Sequence, residues 1–385
     1  MVEWKKLGEV CSIFDGTHQT PKYTDSGIKF VSVENINGLY NSNKFISEED
    51  FNANYKTKPQ RNDVLMTRIG DVGSCAIVDK DEPLAYYVSL ALLRPNSNVI
   101  SGYIKYILES RIGKIELRKR TLLTAVPLKI NLGDVGKVCI PIPSLSEQNR
   151  IVGILDTFTA SIENLKEQIA QRRKQYEYYR DQLLDLEGKE GVEMKYLLDV
   201  LAQPVTDGPH ETPSFYEDGI PFISADAIVD NKINFSRKRG YISEEYDRLC
   251  QKKYKPQLND IYLVKSGSTT GKVAIVRTDE RFNIWSPLAA IRVNQRNHPY
   301  FVYYMLQTKK VQDQVKLKSS QGSQPNLSMR VLEKFIIPVP PLSEQQRIVS
   351  ILDTFEASIQ NLEAQLSQRE KQYEYYRNKL LTFED

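Results

Sequence analysis

Two aspartate–histidine pairs have a spacing that could support acid–base chemistry. Asp15 is followed three positions later by His18, and Asp207 is followed in the same way by His210. A carboxylate beside an imidazole can orient a general base, but catalysis also needs a nucleophile or another polar partner. No such partner is evident nearby in the sequence, and the glycine after each aspartate is typical of a turn. We interpret both pairs as turns.

Other motifs that could indicate an enzyme are incomplete. Residues 267–272 resemble a phosphate-binding loop, but the spacing is one residue short and Val273 replaces the required serine or threonine. The Pro-Pro pair at 340–341 is followed by Leu342, whereas adenine-N6 methyltransferases need an Asn/Asp-Pro-Pro-Tyr/Phe motif. No glycine-rich dinucleotide fingerprint follows a predicted strand. We therefore predict no catalytic site, which disfavours a nuclease or methyltransferase complete in itself.

The cysteine, histidine and charge content argues against several further classes. The four cysteines lie far apart without a Cys-x-x-Cys pair, and with only three histidines beside them we predict no bound metal. A disulfide framework is not expected either, which favours a reducing, cytoplasmic location. The 385 residues include 52 basic and 49 acidic side chains, and no run approaches the roughly 18 apolar residues of a membrane helix. We expect a globular chain of two or three domains, with neither a signal peptide nor a membrane partner.

An internal repeat organises the chain. The stretch that begins at Pro141 recurs from Pro338 without a gap, and the globular regions before it also match, for example at 27–32 and 219–224. The sequence therefore predicts two copies of one unit, each a globular region followed by a tail. The predicted boundaries are 1–143 and 189–340 for the globular regions, and 144–188 and 341–385 for the tails.

The tails predict two long helices. Apolar and aromatic residues recur in steps of four and three from Ile151 to Leu186, and again from Ile348 to Phe383. A sustained 3.5-residue period indicates a coiled coil. The simplest arrangement packs the two tails on each other as an antiparallel pair, which would put the globular regions at opposite ends. We expect Ser146 and Ser343 to be the N-caps, and the glycines at 188 and 191 to end the first helix.

Aromatic and basic residues interrupt the apolar stripe of both tails. The tyrosines on the stripe are interpreted as packing residues rather than ligand-binding residues: Tyr176, Tyr179, Tyr373 and Tyr376. Arg172 and Arg369 occupy the same stripe position in the two copies. A polar residue there can fix the register of a coiled coil, or its charged end can reach out to the edge, and the sequence leaves both readings open.

The globular regions contain short strands and helices in mixed order. The apolar runs predict strands at 28–33, 64–67, 76–78 and 138–142, and helices at 103–109 and 300–315. The predicted fold class is α+β: two mixed α/β domains in a pseudo-twofold repeat, joined by two long helices that form an antiparallel coiled coil.

Basic residues concentrate in the globular regions. Residues 101–140 contain eight basic and three acidic side chains, and residues 292–334 contain eight and two. Polar loops lie among these charges at 265–272 and 319–326, whereas the corresponding loops of the first copy, 68–73 and 119–124, differ in sequence. Positive charge indicates a polyanion such as nucleic acid, although an ordinary solvated surface is also compatible with it. A shared frame with different loops is typical of two different reading heads.

These features together resemble the specificity subunit of type I restriction–modification systems, over nearly the whole chain. The resemblance rests on a duplicated Pro-x-Pro-(Ser/Pro)-Leu-Ser-Glu-Gln-x-Arg-Ile-Val motif that leads into Tyr-Glu-Tyr-Tyr-Arg helices, at 141–180 and 338–377. The Asp-Gly-x-His-x-Thr-Pro segments at 15–21 and 207–213 and the Ser-Gln-Pro-Asn-Leu segment at 323–327 fit as well. The first copy departs from the pattern at 124–127, where Thr-Ala-Val-Pro replaces the Gly-Ser-Gln-Pro version.

The resemblance implies a DNA-recognition role without catalysis in this chain. Each globular region would be a target recognition domain that reads one half of an asymmetric bipartite double-stranded DNA site, and the helices would set the unread spacer. Two methyltransferase subunits that carry S-adenosylmethionine and methylate adenine N6 would dock on the chain. A restriction subunit, a motor–nuclease that uses ATP and Mg, would complete the complex. No cofactor is expected in this chain itself.

Candidate contacts follow from side-chain type and position. The predicted DNA contacts are Arg68, Arg118 and Arg120 in the first domain, and Lys265, Lys272, Lys318, Gln321 and Gln324 in the second. Lysines mostly bind phosphates, whereas arginine and glutamine are better readers of base edges. The predicted partner-docking residues, placed on the outward helix faces, are Glu147, Gln148, Arg150, Glu344, Gln345 and Arg347. The alternative function is a two-headed coiled-coil adaptor for proteins, whose binding would not weaken steeply with salt as DNA binding does.

Overall fold

The computed structural model describes residues 2–320 and 324–383. The chain forms two compact units, one of residues 1–166 and 364–385, the other of residues 167–363. Each unit contains one globular domain, the start of the long helix that follows this domain, and the end of the other long helix. The globular parts are called the first domain and the second domain below.

The first domain is built from three small sheets and short helices. Its elements are β1 (Glu3–Lys6), α1 (Leu7–Val10), β2 (Cys11–Asp15), β3 (Ile28–Val31), β4 (Phe45–Ile46), α2 (Glu48–Asn54), β5 (Val64–Thr67), β6 (Cys75–Ile77), β7 (Leu84–Tyr86), β8 (Leu90–Pro95), α3 (Ser101–Glu109), α4 (Arg111–Arg118), α5 (Leu132–Val135) and β9 (Cys139–Ile142). The sheets have the orders β2-β8-β5-β6, β4-β3-β7 and β1-β9. Strand pairs are antiparallel except β3 with β7. The long helix α6 (Leu145–Leu183) follows.

The second domain repeats this plan. Its elements are β10 (Glu193–Tyr196), β11 (Thr206–Asp207), β12 (Ile220–Ile223), β13 (Ile228–Val229), β14 (Lys232–Ile233), β15 (Gly240–Ile242), α7 (Glu244–Gln251), β16 (Ile261–Val264), β17 (Val273–Ile275), β18 (Asn283–Ile284), β19 (Leu288–Ile291), α8 (Pro299–Gln307), α9 (Lys309–Lys318), α10 (Met329–Glu333) and β20 (Ile336–Val339), before α11 (Leu342–Leu381). Its sheets β11-β19-β16-β17, β15-β12-β18 and β10-β20 match those of the first domain, and the hairpin β13-β14 is additional.

In each four-stranded sheet the inner strand β5, or its counterpart β16, is buried on both faces. Val64 and Met66 of β5 pack in the core that includes α3 and the start of α6, while Leu65 points into a second core on the opposite face. In the second domain, Ile261 and Tyr262 divide between two cores in the same way. Because successive side chains of a strand point to opposite faces, a strand covered on both sides reads as a continuous apolar run.

The two long helices pack on each other in antiparallel orientation within each unit, as predicted. In the first unit the Phe158 and Tyr376 rings stack at 5.4 Å, and Lys166 lies 3.6 Å from Glu370. In the second unit the corresponding stack is formed by residues 179 and 355 at 5.5 Å. Partner numbers fall along α11 as they rise along α6, which defines the antiparallel direction. Tyr179 and Tyr376 thus pack against aromatic rings, Tyr176 packs against Tyr304, and Tyr373 packs on the apolar core of the first unit, in agreement with the packing interpretation.

The two seam arginines differ in their contacts. The guanidinium of Arg369 lies over the Phe158 ring, 5.7 Å from its centroid. Arg172 instead donates to Gln175 on its own helix at 3.2 Å. One copy therefore uses its arginine to cover the seam, and the other directs it along its own helix.

The predicted helix caps are wrong by two residues. The helix α6 begins at Leu145, and the Ser144 hydroxyl accepts the Glu147 N–H at 3.3 Å, so Ser144 rather than Ser146 is the N-cap. The start of α11 is Leu342, with Pro341 where the first copy has Ser144, so Ser343 lies inside the helix. At its other end α6 stops at residue 183, before the glycines at 188 and 191.

The single helix predicted over 300–315 is in fact two helices. A break at Thr308 separates α8 from α9, and the Thr308 hydroxyl caps α9 by accepting the Val311 N–H while donating to the Met305 carbonyl. Ser110 makes the same pair of bonds between α3 and α4. A capping hydroxyl can satisfy backbone groups on both sides of a break, so the apolar periodicity continues although the helix does not.

No helix in the described parts of the chain is long and apolar enough to cross a membrane.

Candidate nucleic-acid interface

The two polar loops predicted in the second domain lie side by side. Backbone bonds from Gly267 N–H to the Pro325 carbonyl and from Leu327 N–H to the Lys265 carbonyl join them, at 3.0 and 2.7 Å. The Thr270 hydroxyl adds bonds to the carbonyls of Gly267 and Pro325. These bonds hold the loop after β16 against the loop after α9. Two segments that are far apart in sequence therefore form one surface.

The first domain builds its equivalent surface with the same backbone bonds. Gly70 N–H donates to the Leu128 carbonyl at 2.7 Å, and Ile130 N–H donates to the Arg68 carbonyl at 2.9 Å. Gly70 and Gly267 both have positive φ, at 81° and 96°, which is the backbone conformation that glycine adopts without strain. The two domains thus use the same backbone hydrogen bonds to support their two surfaces.

Asp15, interpreted above as a turn residue, holds a cationic cluster in the first domain. The Arg68 guanidinium donates to the Asp15 carboxylate at 2.8 Å and to the Val88 carbonyl at 2.7 Å, and its side chain is only 10% exposed. The imidazole of His18 lies 2.8 Å from the other oxygen of the same carboxylate and is largely exposed. Arg68 is therefore buried in an ion pair, with His18 outside it.

The second domain has the same cluster with lysines. The fully buried Asp207 carboxylate lies 3.2 Å from the Lys265 ammonium and 3.4 Å from the His210 imidazole, and it also pairs with Lys253. Lys265 corresponds to Arg68 in the repeat. Two lysines against one carboxylate leave a positive excess here. The connection between these aspartates and the cations was not predicted from the sequence. The available signal was that both the Asp-x-x-His pair and a basic residue at the Arg68/Lys265 position recur in the two copies.

The other predicted contacts of the first domain differ in their availability. Arg118, at the end of α4, is exposed, and its side chain has no hydrogen-bond or ion-pair partner among the described residues. Arg120 is partly buried and donates to the carbonyl and to the carboxylate of Glu116. Lys119 pairs with the same carboxylate. Arg118 is thus the predicted contact that is most available to a ligand in this domain.

In the second domain most predicted contacts point to solvent. Lys272 and Gln324 are exposed on the paired loops. Lys318, the last residue of α9, is exposed, with its ammonium 5.3 Å from the Phe335 ring. Gln321 lies outside the described residues.

The prediction that Gln148 and Gln345 lie on outward helix faces is wrong, because both side chains are buried. The Gln148 amide accepts the Ile100 N–H at 3.1 Å and donates to the Asn98 and Pro143 carbonyls. The Gln345 amide accepts the N–H of residue 298 at 2.8 Å and also donates to the Pro340 carbonyl. A glutamine in the first turn of each long helix thus ties that helix to its own domain.

Of the neighbouring docking candidates at the start of each long helix, the two arginines are exposed and the two glutamates are partly buried. Arg150 makes a two-bond ion pair with Glu147, and Arg347 makes the same pair with Glu344. These surface pairs lie three residues apart on one helix, so each contributes little to stability. Their charges are available to another molecule in both copies.

A tyrosine of the buried helix of each domain, α3 or α8, also binds the long helix that follows that domain. The Tyr106 hydroxyl donates to Asp156 and the Tyr304 hydroxyl donates to Asp353, both at 2.5 Å. Burial, and next the adjacent carboxylates, raise the pKa of both tyrosines well above the usual value. Both hydroxyls therefore stay protonated and can donate these bonds at physiological pH.

The described residues offer little for metal or thiol chemistry. No group of three or more His, Cys, Asp or Glu side chains within 2–320 and 324–383 could hold a metal ion. Burial raises the pKa of Cys11 to about 12 and of Cys250 to about 11, and it raises the pKa of Cys75 as well. These three thiols are therefore protonated and poor nucleophiles at neutral pH.

Both halves of the chain are similar in sequence to known proteins of one family. Residues 1–172 and 208–370 match the model of the type I restriction modification DNA specificity domain. The chain is 34% identical over 262 residues to the specificity subunit of the Escherichia coli type I restriction enzyme EcoR124I/EcoR124II, covering 64% of this chain and 63% of that protein. It is 30% identical over 272 residues to a putative type I restriction enzyme specificity subunit of Haemophilus influenzae, covering 66% of each. The alignments thus span slightly less than two thirds of these relatives.

The fold comparison covers nearly the whole length of both molecules. The crystal structure of the type I restriction–modification S subunit from M. genitalium superposes with a TM-score of 0.60 at 15% identity, over 100% of this chain and 97% of that one. This likeness shows a shared fold. Together with the family match over both halves, it shows that the chain belongs to the type I restriction modification DNA specificity domain family.

Proposed function

We propose that this chain is a non-catalytic DNA-recognition subunit of a type I restriction–modification complex. Each domain reads one half of an asymmetric bipartite site in double-stranded DNA, and the antiparallel helices set the spacer between the halves. The observation that carries this proposal is the pair of loop surfaces, which share their backbone hydrogen bonds but differ in their exposed side chains. A common frame with different tips suits two different base sequences, since side chains in the grooves read base identity.

The exposed residues are the first candidates for direct DNA contact. Lys272 and Lys318 suit phosphates, whereas Arg118 and Gln324 can make two-bond contacts to guanine and adenine edges respectively. Gln321 stays a proposed contact on its sequence position alone. The proposed contacts Arg68, Lys265 and Arg120 are already paired with carboxylates, so DNA would have to compete with those carboxylates for them.

The partners follow from the duplication. We propose that two methyltransferase subunits, which carry S-adenosylmethionine, dock on the chain and methylate adenine N6, and that a motor–nuclease subunit using ATP and Mg completes the complex. The partly exposed Glu147–Arg150 and Glu344–Arg347 pairs support this stoichiometry, because two copies of one surface suit two copies of one partner. This chain contributes recognition, and its partners contribute the chemistry.

The test is modification-sensitive sequencing of host DNA with the gene intact and deleted. Loss of N6-methyladenine from one bipartite motif is expected, and this result would also define both half-sites. Binding of the assembled complex to that motif should weaken steeply as salt is raised, because phosphate contacts release counterions. An unchanged methylome, together with salt-insensitive binding to proteins, would favour the adaptor function instead.

A single-residue variant tests the assignment of the reading surface. Gln324→Ala should relax specificity at one position of one half-site and leave the other half-site unchanged. Lys272→Ala is the matched control: it should weaken binding to all sequences and reduce the salt slope by about one. If Gln324→Ala behaved like Lys272→Ala, Gln324 would be a phosphate contact.

A further inference from the structure

The first domain presents an exposed apolar surface on its candidate DNA-binding side. The loop of residues 121–128, called the apolar loop here, connects α4 to the buried Ile130. The exposed fractions of its apolar side chains are 40% for Leu122, 56% for Leu123, 99% for Val126 and 41% for Leu128. Within 122–128 only Thr124 carries a polar side chain. Because the free energy falls when apolar side chains leave water, such an exposed cluster indicates a binding surface.

The framework places the apolar loop where the second domain has its polar loop. In the first domain Leu122 N–H donates to the Lys129 carbonyl at 2.7 Å, and in the second domain Ser320 N–H donates to the Asn326 carbonyl at 3.0 Å. The bridge of Ile69 with Lys129 likewise corresponds to that of Ser266 with Asn326. The two loops are therefore anchored alike and differ in the chemistry of their tips.

Positive charge borders the apolar loop. Arg118 and Lys119 precede it and Lys129 follows it, and all three are exposed. The most exposed apolar residues, Leu123 and Val126, lie between these basic ends rather than beside them. A cationic border around an apolar tip matches DNA, in which phosphates flank the groove and thymine presents its 5-methyl group in the major groove.

We propose that the apolar loop reads the first domain's half-site through thymine methyl groups, in contrast to hydrogen-bond reading by the second domain. This inference rests on the proposed DNA-recognition function. Leu123 and Val126 contact the methyl groups, and Lys129 holds an adjacent phosphate. Cytosine carries no methyl group at the corresponding ring position, so this contact discriminates A·T from G·C pairs with few hydrogen bonds from the loop.

Replacement of thymine by uracil tests this contact directly, because uracil differs from thymine only by the missing methyl group. The full chain, assembled with its methyltransferase subunits, is titrated with duplexes carrying uracil for thymine in one half-site at a time. Loss of one buried methyl should weaken binding about fourfold, in one half-site only. In the double variant Leu123→Ser/Val126→Ser this uracil effect should disappear while the salt slope stays unchanged.

Gln324→Ala serves as the matched control, since it should retain the uracil effect. The proposal would be overturned if uracil substitution weakened binding in neither half-site, or if the uracil effect persisted in the double variant. Either result would leave bipartite methylation, and so the proposed function, standing. If no bipartite motif existed, the proposed function itself would fail. Loss of assembly with the methyltransferase in the double variant would instead identify the loop as a protein-docking surface. The proposal would also fail if 2-aminopurine placed in the half-site became more fluorescent with the wild-type chain but not with the double variant, while uracil had no effect. That result would show that the loop inserts between base steps.

Discussion

The first and second domains share a framework but are fixed to the long helices by different numbers of ion pairs. Within the first unit, the described bonds from the domain to the helices include those of Gln148 and Tyr106 and a bond from Arg111 N–H to Asn378. The second unit repeats the glutamine and tyrosine bonds and adds a brace formed by the hairpin β13-β14. The difference shows which contacts are needed for the fold and which belong to one copy.

The brace connects three parts of the second unit. Arg173 of α6 lies 3.5 Å from Asp230 at the hairpin turn, and Lys232 lies 3.6 Å from Glu363 of α11. Asn231, also in this turn, donates to Gln307 of α8 at 2.8 Å. Asp230 and Asn231 both have positive φ, at 49° and 57°, as a tight two-residue hairpin turn requires. The hairpin thus positions charged groups that the first domain does not have.

The largest effect is expected where the shared framework is broken. Arg94 makes two bonds to the buried Asp63, at 2.9 and 2.7 Å, and Arg292 makes the same bonds to Asp260. Removing either carboxylate leaves an uncompensated cation, so Asp63→Ala should cost about 3–5 kcal/mol of unfolding free energy. Urea unfolding, with hydrogen exchange to locate the loss in one domain, is the measurement.

The same substitution in the second domain should cost more. The Tyr254 hydroxyl also donates to Asp260, at 2.6 Å. Asp260→Ala should therefore exceed Asp63→Ala by about 1 kcal/mol, the net contribution of one further hydrogen bond. The control is the same substitution made in a Tyr254→Phe background, where Asp260→Ala should cost about as much as Asp63→Ala. An equal loss in both domains would contradict the role given to Tyr254.

The glutamines at the helix starts should give the next largest effect. Gln148→Ala and Gln345→Ala each remove the partners of buried backbone groups, so each should destabilise its own domain by about 2 kcal/mol. Thermal unfolding monitored separately for the two domains measures this loss. Unchanged stability with impaired partner binding would restore the docking role that their burial argues against.

The brace extends to Glu356 of α11 through the Tyr303 hydroxyl, which lies 3.0 Å from the Asn231 carbonyl of the hairpin turn. This part of the brace should contribute less than the glutamines, and only in the second unit. Arg277 binds Glu356 at 2.5 Å and the Tyr303 hydroxyl donates to the same carboxylate at 3.3 Å, whereas Thr159 occupies this repeat position in the first copy. Glu356→Ala should cost about 1.5 kcal/mol and speed hydrogen exchange in the hairpin. Thr159→Ala, the matched control, should change the first domain little. Equal effects of the two changes would show that the brace is not specific to one copy.

The smallest expected effect is a pH dependence confined to the first domain. Burial raises the pKa of Glu109, although Lys105 and the Cys75 N–H partly oppose the shift. The folded state therefore binds this proton more tightly than the unfolded state, so the Glu109 contribution to stability falls as pH rises from about 4.5 through the raised value. The second domain has Gln307 at the same end of its core helix.

Glu109→Gln converts the first domain to the chemistry of the second at this position. The variant should remove this pH dependence and slightly stabilise the first domain at neutral pH. Stability measured from pH 4 to 8, with wild type beside the variant, tests the prediction. A variant that lost stability at neutral pH would show that the attraction of Lys105 outweighs burial.

Repetition and periodicity already determined most of the architecture. The gapless repeat predicts two copies of one unit, and the 3.5-residue stripe predicts two long helices, since both patterns depend on local sequence. Strand Val64–Thr67 was predicted with its observed bounds because it is buried on both faces and reads as an apolar run. The break at Thr308 was not predicted, because a capping hydroxyl interrupts the helix without interrupting the apolar pattern.

The sequence also located the proposed reading loops, because they are where the two copies differ. It could not determine which of their cations are free. Arg68 and Arg118 are both arginines in basic segments, but only the fold brings Asp15, 53 positions away, against Arg68. In the same way Gln148 is a polar residue in the exposed first turn of a helix by sequence, and only the loop at 98–100 buries it. Long-range contacts decide burial and ion pairing, so the tertiary structure alone separated the residues that hold the frame from those that are exposed and unpaired.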